Sequence, residues 1–315
     1  MKAIQITAFG GPEVMTYTDL PDPVAGSDEV LLDVTAIGIN YADTHQTENS
    51  YLSPQTLPMV PGIEVVGTNA GKRYLASVSS GGYAQRAIAH KSVLFPIPDS
   101  VTDQQALCML VQGSTAWHLL KTMGNISAGQ SVVIHAAAGG VGTIAIQLAK
   151  LWGAKVIAVT SNGDKAELAK RLGADGVVDA NVTDLAKSLK EANGGRSVDL
   201  VLEMVGGKTF DQSLESLSTF GKLITFGMAS RTAPTPVHPG ALMHGSKTIS
   251  GFWLANCFGK KELLNDVIDE LFKLIADGKL KPVIGATYPL SNATDAHKAM
   301  LARQTTGKIA LDPAL

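Results

Sequence analysis

Cysteine is scarce in this 315-residue chain: Cys108 and Cys257 stand far apart, and neither has a second Cys or a His at ligand spacing. A disulfide framework and a zinc finger are thereby excluded, and two buried, unreactive thiols are expected. Charge is also sparse, at 17% Asp, Glu, Lys and Arg, with a formal net charge of -2 and no long run of Lys or Arg. Without a basic footprint, neither nucleic acid nor an anionic membrane is an expected partner. Long apolar runs are missing, since stretches such as 131–138 are interrupted well short of the roughly 18 residues that span a bilayer. After Lys2, alternating Ile4 and Ile6 replace the apolar core and cleavage site of a signal peptide, so the expected compartment is the cytoplasm.

What is present is an ordinary globular composition, 45% hydrophobic with 32 Gly and 14 Pro, in a chain longer than one core usually serves, so two domains are expected. From 131 to 253, short β-branched runs alternate with segments of helical period, the pattern of successive βαβ units around a parallel sheet. Strands are expected at 131–136, 155–160, 177–178, 198–203, 222–226 and 248–253. Between the first two, Val141, Ile144, Ala145, Leu148 and Ala149 recur at helical spacing, and Gly153 stands where a helix-ending glycine belongs. The first part reads as a β-rich, barrel-like domain with strands at 2–7, 30–38, 64–68 and 83–89 between Pro and Gly turns. Near the end, an amphipathic helix at 262–276 and a strand at 283–288 fit a return to that first domain. No internal repeat or low-complexity linker interrupts the chain.

The central motif is His135-Ala136-Ala137-Ala138-Gly139-Gly140-Val141-Gly142, directly after an expected strand and before an expected helix. Glycines there let the backbone turn tightly and approach a pyrophosphate, whose charge the free N–H groups at the helix start can hold. The spacing is Ala-x-x-Gly-x-x-Gly, and it points to a dinucleotide. At the tip of the next strand, where NAD enzymes place a carboxylate about 20 residues beyond the loop, the chain has Thr160, Ser161, Asn162 and Gly163. These leave room for a 2′-phosphate, with Lys165 and Arg171 nearby to offer positive charge, so the cofactor expected is NADPH. Two other readings stand beside this one: Lys165 as an ordinary solvated helix residue, and Asp164 as a ribose ligand. Asp164 reads better as a helix N-cap, with Glu167 completing a capping box.

Gly38-Ile39-Asn40-Tyr41-Ala42-Asp43, Pro61-Gly62-Ile63-Glu64, Gly81-Gly82-Tyr83-Ala84, the Ala-x-x-Gly-x-x-Gly loop, Phe226-Gly227 and Thr306-Gly307-Lys308 together span nearly the whole chain. In them the sequence resembles the zinc-independent quinone oxidoreductase (zeta-crystallin-like) branch of the medium-chain dehydrogenase/reductase superfamily. The resemblance implies an α/β fold: a doubly wound parallel sheet of Rossmann type at 112–256, and a β-rich GroES-like catalytic domain at 1–111 and 257–315. Zinc alcohol dehydrogenases of that superfamily carry Cys where this chain has Asn40 and His where it has Ile63, so the metal shell is expected to be absent.

By the same resemblance, Asn40 and Tyr51 belong beside the nicotinamide, Tyr51 as a phenolic donor. His45 stands where relatives often have another Tyr. Thr115 belongs near the nicotinamide or is a plain helix cap. Met204 and Val205 belong toward the adenosine, Phe226, Gly227 and Met228 toward the diphosphate and nicotinamide, Phe252, Trp253 and Leu254 over the nicotinamide, and Lys308 near the cofactor. The aromatic and apolar members of that set also fit a sheet core. The segment between Gly67 and Ser80 reads as a loop shorter than in relatives.

Without a metal to polarise a simple carbonyl, conjugated acceptors are the expected substrates: quinones, enones and enals, whose oxygen Asn40, Tyr51 or backbone N–H groups can stabilise, with a proton from Tyr51, His45 or water. Alternatives are a 2-enoyl thioester reductase, which the segment Gly251-Phe252-Trp253-Leu254 also resembles, and a non-catalytic NADPH-binding protein. The strand at 248–253 would be an exposed sheet edge unless paired or covered, and the resemblance implies a dimer formed through this domain, so a homodimer is expected.

Overall fold

The computed structural model describes residues 1–50, 52–79 and 81–315. The chain divides into two compact units, one of residues 1–112, 258–278 and 282–315, the other of 113–257 and 279–281.

The first unit opens with strands β1 (Lys2–Gln5), β2 (Thr16–Asp19), β3 (Glu29–Ile39), β4 (Glu64–Asn69), β5 (Lys72–Ser77), β6 (Arg86–His90) and β7 (Leu94–Pro96), with helix α1 (Tyr41–Glu48) after β3 and α2 (Asp103–Leu107) after β7. In β3, Leu32, Val34 and Ala36 are buried while Asp33 and Thr35 point outward, the period of two that a half-buried strand requires. The segment read as a shortened loop is a hairpin: β4 and β5 pair from Glu64↔Ser77 to Asn69↔Lys72. Its turn runs through Ala70 and Gly71, both at positive φ (49° and 75°), as a two-residue hairpin needs to match strand twist. The strand expected from 83 starts instead at Arg86, because Tyr83 and Ala84 turn toward β1, where the Ile4 N–H donates to the Tyr83 carbonyl at 2.9 Å.

The second unit holds α3 (Ser114–His118), then β8 (Ser131–Ile134), α4 (Gly140–Leu151), β9 (Lys155–Thr160), α5 (Gly163–Arg171), β10 (Gly176–Asp179), α6 (Leu185–Ala192), β11 (Val198–Glu203), α7 (Gly207–Ser216), β12 (Leu217–Thr225), α8 (Pro239–Met243) and β13 (Thr248–Gly251). The sheet order is β10-β9-β8-β11-β12-β13, parallel throughout, so β13 ends the sheet. Val133, Ile157, Val159, Leu185, Leu189, Val201, Phe210 and Leu223 belong to one buried cluster on this sheet. Strands covered on both faces explain the near-continuous apolar runs of the sequence.

The chain then returns to the first unit with α9 (Asn265–Ala276), β14 (Ile284–Pro289), α10 (Ala293–Leu301) and β15 (Lys308–Asp312). There β15 pairs antiparallel with β3 and parallel with β14, giving the order β14-β15-β3-β4-β5-β7 with β6 also on β3. Its core joins Ile4, Ile6, Leu32, Ile37, Ile39, Val65, Leu290, Ile309 and Leu311. Among the described residues no helix is long and apolar enough to cross a membrane.

Candidate active site

In the second unit the expected cofactor residues follow the carboxyl ends of the parallel strands, where open α/β sheets hold ligands. Ala138 to Gly142 follow β8, Thr160 to Lys165 close β9 and open α5, Met204 and Val205 follow β11, Phe226 to Met228 follow β12, and Phe252 to Leu254 follow β13. Ala136, the first position of the Ala-x-x-Gly-x-x-Gly motif, holds a left-handed backbone, φ 47°. Gly142 is dictated by space: a Cβ there would lie 2.6 Å from the Ala136 carbonyl oxygen and from the Ala137 Cα, both backbone atoms. Helix α4 therefore begins pressed onto its own loop. Its N-cap Gly139 supplies no side-chain cap, which leaves first-turn amides for an anion.

At the tips of β9 and β10 a hollow of about 220 Å³ is lined by Thr160, Asn162, Gly163, Ala166, Val177 and Asp179. Asn162, not Asp164, caps α5: its side chain accepts the Lys165 N–H at 3.0 Å, while Asp164 lies inside the first turn. Glu167, expected to reach back to the cap, instead accepts from Lys170 at 2.8 Å. Ser161 and Lys165 are half-buried beside the exposed cap. At the end of β11, fully buried Glu203 accepts the Val205 and Gly206 N–H groups through Oε1 at 2.7 and 2.9 Å, fixing the turn that carries Met204 and Val205. Its Oε2 has no hydrogen-bond partner among the described residues, and burial raises its pKa. Thr115 is buried within α3 rather than capping it. Phe252 stacks at a tilt on His118, ring centroids 5.5 Å apart.

In the first unit a polar cluster surrounds the start of α1. Asn40 is the N-cap, and its N–H donates to Asp43 Oδ2 at 2.9 Å. Asn40 Nδ2 donates to Glu64 Oε2 at 3.0 Å, and Asn40 Oδ1 accepts from Lys308 Nζ at 3.0 Å. Lys308 also donates to Glu64 Oε2, and the other Glu64 oxygen accepts the Val111 N–H at 2.8 Å. Lys308, expected near the cofactor, is thus the fully buried partner of Asn40 and Glu64. His45 is buried further along α1, with Nδ1 2.9 Å from Ser50 Oγ. Tyr51 lies outside the described residues. Behind Asp43, Tyr83 donates to Asp43 Oδ2 at 2.8 Å and lies 2.8 Å from His297 Nε2, all three buried.

Residues 140–274 match the family described as zinc-binding dehydrogenase, and 26–72 match the alcohol dehydrogenase GroES-like domain. A quinone oxidoreductase of Pseudomonas aeruginosa is 33% identical over 99% of this chain and 99% of its own. The chain belongs to the quinone oxidoreductase family of medium-chain dehydrogenases/reductases. Two solved members share its fold over 99% of its length and all of theirs: the Escherichia coli quinone oxidoreductase complexed with NADPH (TM-score 0.93, 32% identity) and that of Thermus thermophilus, also solved with NADPH (0.89, 34%).

One of the matching family descriptions names zinc. Among the described residues no group of three His, Cys, Asp or Glu side chains gathers as a metal shell would. Beside Asn40 the charge opposite Glu64 is an ammonium, that of Lys308. Both cysteines of the chain are buried and in no disulfide, and burial pushes the Cys108 thiol up to about 12, far from a thiolate ligand. Sequence reasoning overlooked Asp43, Tyr83, His297 and Glu203. The first two stand inside quoted family motifs, whereas nothing in the sequence around His297 or Glu203 signals a buried polar network.

Proposed function

We propose that this chain is an NADPH-dependent reductase that transfers a hydride to quinones, enones or enals without zinc. The observation that carries the reading is the uncapped, glycine-bounded start of α4, in a chain similar over its full length to quinone oxidoreductases solved with NADPH. NADPH, when bound, supplies the hydride. The first-turn amides of α4 hold the diphosphate charge, and Thr160, Ser161, Asn162 and Lys165 receive the 2′-phosphate end. Thr115, Met204, Val205, Phe226, Gly227, Met228, Phe252, Trp253 and Leu254 complete the cofactor's surroundings.

A conjugated acceptor needs only modest stabilisation of the oxygen that becomes negative, and Asn40 supplies a neutral N–H donor suited to it. Tyr51 is the proposed proton donor, with water as the source for acceptors that protonate readily. His45, held by Ser50, is a weaker candidate for that transfer. The same reading makes the protein a cytoplasmic homodimer joined along β13.

The test is an acceptor panel. Purified protein with NADPH is expected to turn over 1,4-benzoquinone and simple enones well above crotonyl-thioester. Preference for the thioester would reassign it as a 2-enoyl thioester reductase, and tight NADPH binding without turnover of any acceptor would make it a non-catalytic binder.

A further inference from the structure

We infer that Lys308 and Glu64 are positioning residues, a buried clamp that fixes which end of the Asn40 amide faces the acceptor; this rests on the donor role proposed for Asn40. The two ends of an asparagine amide are nearly identical in shape, so the chemistry of its partners decides its orientation. Lys308 can only donate, and it holds Oδ1 at 3.0 Å. A Glu64 carboxylate can only accept, and its Oε2 holds Nδ2 at 3.0 Å. Gln112 Nε2 adds a second donor to Oδ1 at 3.5 Å. A flipped amide would set Nδ2 against an ammonium and Oδ1 against a carboxylate.

Held this way, Oδ1 is filled and Nδ2 keeps one N–H. Only 4% of Asn40 is exposed, so orientation decides which atom an acceptor can meet. The backbone is locked as well, through the Asn40 N–H on Asp43 Oδ2.

Strand β3 makes room for the clamp. A Cβ on Gly38 would lie 2.5 Å from Glu64 Oε2 and 2.8 Å from Lys308 Nζ, so a bare backbone lets the ion pair lie across the strand. For stability alone the pair is a poor investment, because apolar side chains of similar volume generally serve a core as well or better. Orientation of a neighbouring donor is what an apolar pair would not provide.

The experiment is a mutant cycle between Asn40→Ala and the double variant Lys308→Met/Glu64→Gln, which removes both charges and leaves neither unpaired. For each protein, thermal unfolding, NADPH affinity by fluorescence, and kcat and KM for 1,4-benzoquinone are measured. The double variant is expected to fold and bind NADPH normally while kcat falls at least about tenfold, as for loss of one transition-state donor. Asn40→Ala is expected to lose a similar factor, and the triple variant little more, because both changes remove one interaction.

If Asn40→Ala loses turnover while the double variant keeps it, the clamp is overturned and the role of Asn40 stands. If Asn40→Ala keeps full kcat, the donor reading of Asn40 fails and the clamp with it. Should the double variant not fold, Glu64→Gln alone, which preserves volume, reads the same coupling, and a fold-stable variant of undiminished kcat would overturn the proposal.

Discussion

Asp43 is caught between two demands. As part of the capping box of α1 it accepts the Asn40 N–H and the Tyr83 hydroxyl, which favours a carboxylate, yet it is fully buried and its Oδ1 has no hydrogen-bond partner among the described residues. Burial wins and lifts its pKa from 3.8 to about 7, while the Lys308 charge pulls it down and that of Glu64 pushes it up. His297, on the other side of Tyr83, is pushed down to about 4 by burial and is neutral at pH 7. A carboxyl whose pKa is raised in the fold contributes stability that is complete below its unfolded pKa and is lost as pH rises through its folded one. Wild type should therefore lose stability relative to Asp43→Asn at roughly 1.4 kcal/mol per pH unit between pH about 4 and about 7. Because both proteins keep the same histidines, urea unfolding of the pair isolates this slope, and parallel stability curves would contradict it. The motif containing Asp43 was legible in the sequence, but the ionisation of Asp43 was not, because it depends on burial by Tyr83 and His297 from distant segments.

Helix α5 shows how far local pattern reading reaches. Asn162 and Asp164 are both good caps, and only Asp164 has a Glu three residues later, so the pattern favoured the later start. What decides is the sheet: β9 ends at Thr160, the helix begins at Gly163, and Asn162 is the residue left between them whose side chain meets the Lys165 N–H. Asn162→Ala should then cost about 1 kcal/mol in chemical unfolding, and Asp164→Ala under about 0.5 kcal/mol. A reversed order of the two would return the cap to Asp164. The hairpin of β4 and β5 escaped notice for a related reason: its turn places Ala70, not Asn or Gly, at the first positive φ.

Across the whole molecule, legibility followed burial. Strands of the parallel sheet are covered on both faces and read as apolar runs, and β9 and β11 have the boundaries their periodicity indicates. The short strands β2 and β5 of the first unit carry mixed polar residues, and β7 is only three residues long and ends on a proline, so all three gave little signal. At β15 the strand opens on a lysine, so Thr306-Gly307-Lys308 read only as a family motif, whereas the segment pairs with β3 and carries part of the Asn40 cluster. The candidate site was correspondingly half legible: the residues that follow the strands of the parallel sheet stand out as motifs, whereas the network of Glu64, Lys308 and Asp43 exists only once β3, β4, β15 and α1 are assembled.

Metal-free hydride transfer from NADPH to a quinone is the core of the proposed function. Its most direct test compares kcat/KM for NADPH and NADH with 1,4-benzoquinone, with and without a strong chelator. A preference for NADPH of at least about tenfold is expected, as for recognition of the 2′-phosphate by charged or hydrogen-bonding groups, with rates indifferent to the chelator. Equal use of NADH, or activity abolished by the chelator and restored by zinc, would contradict it.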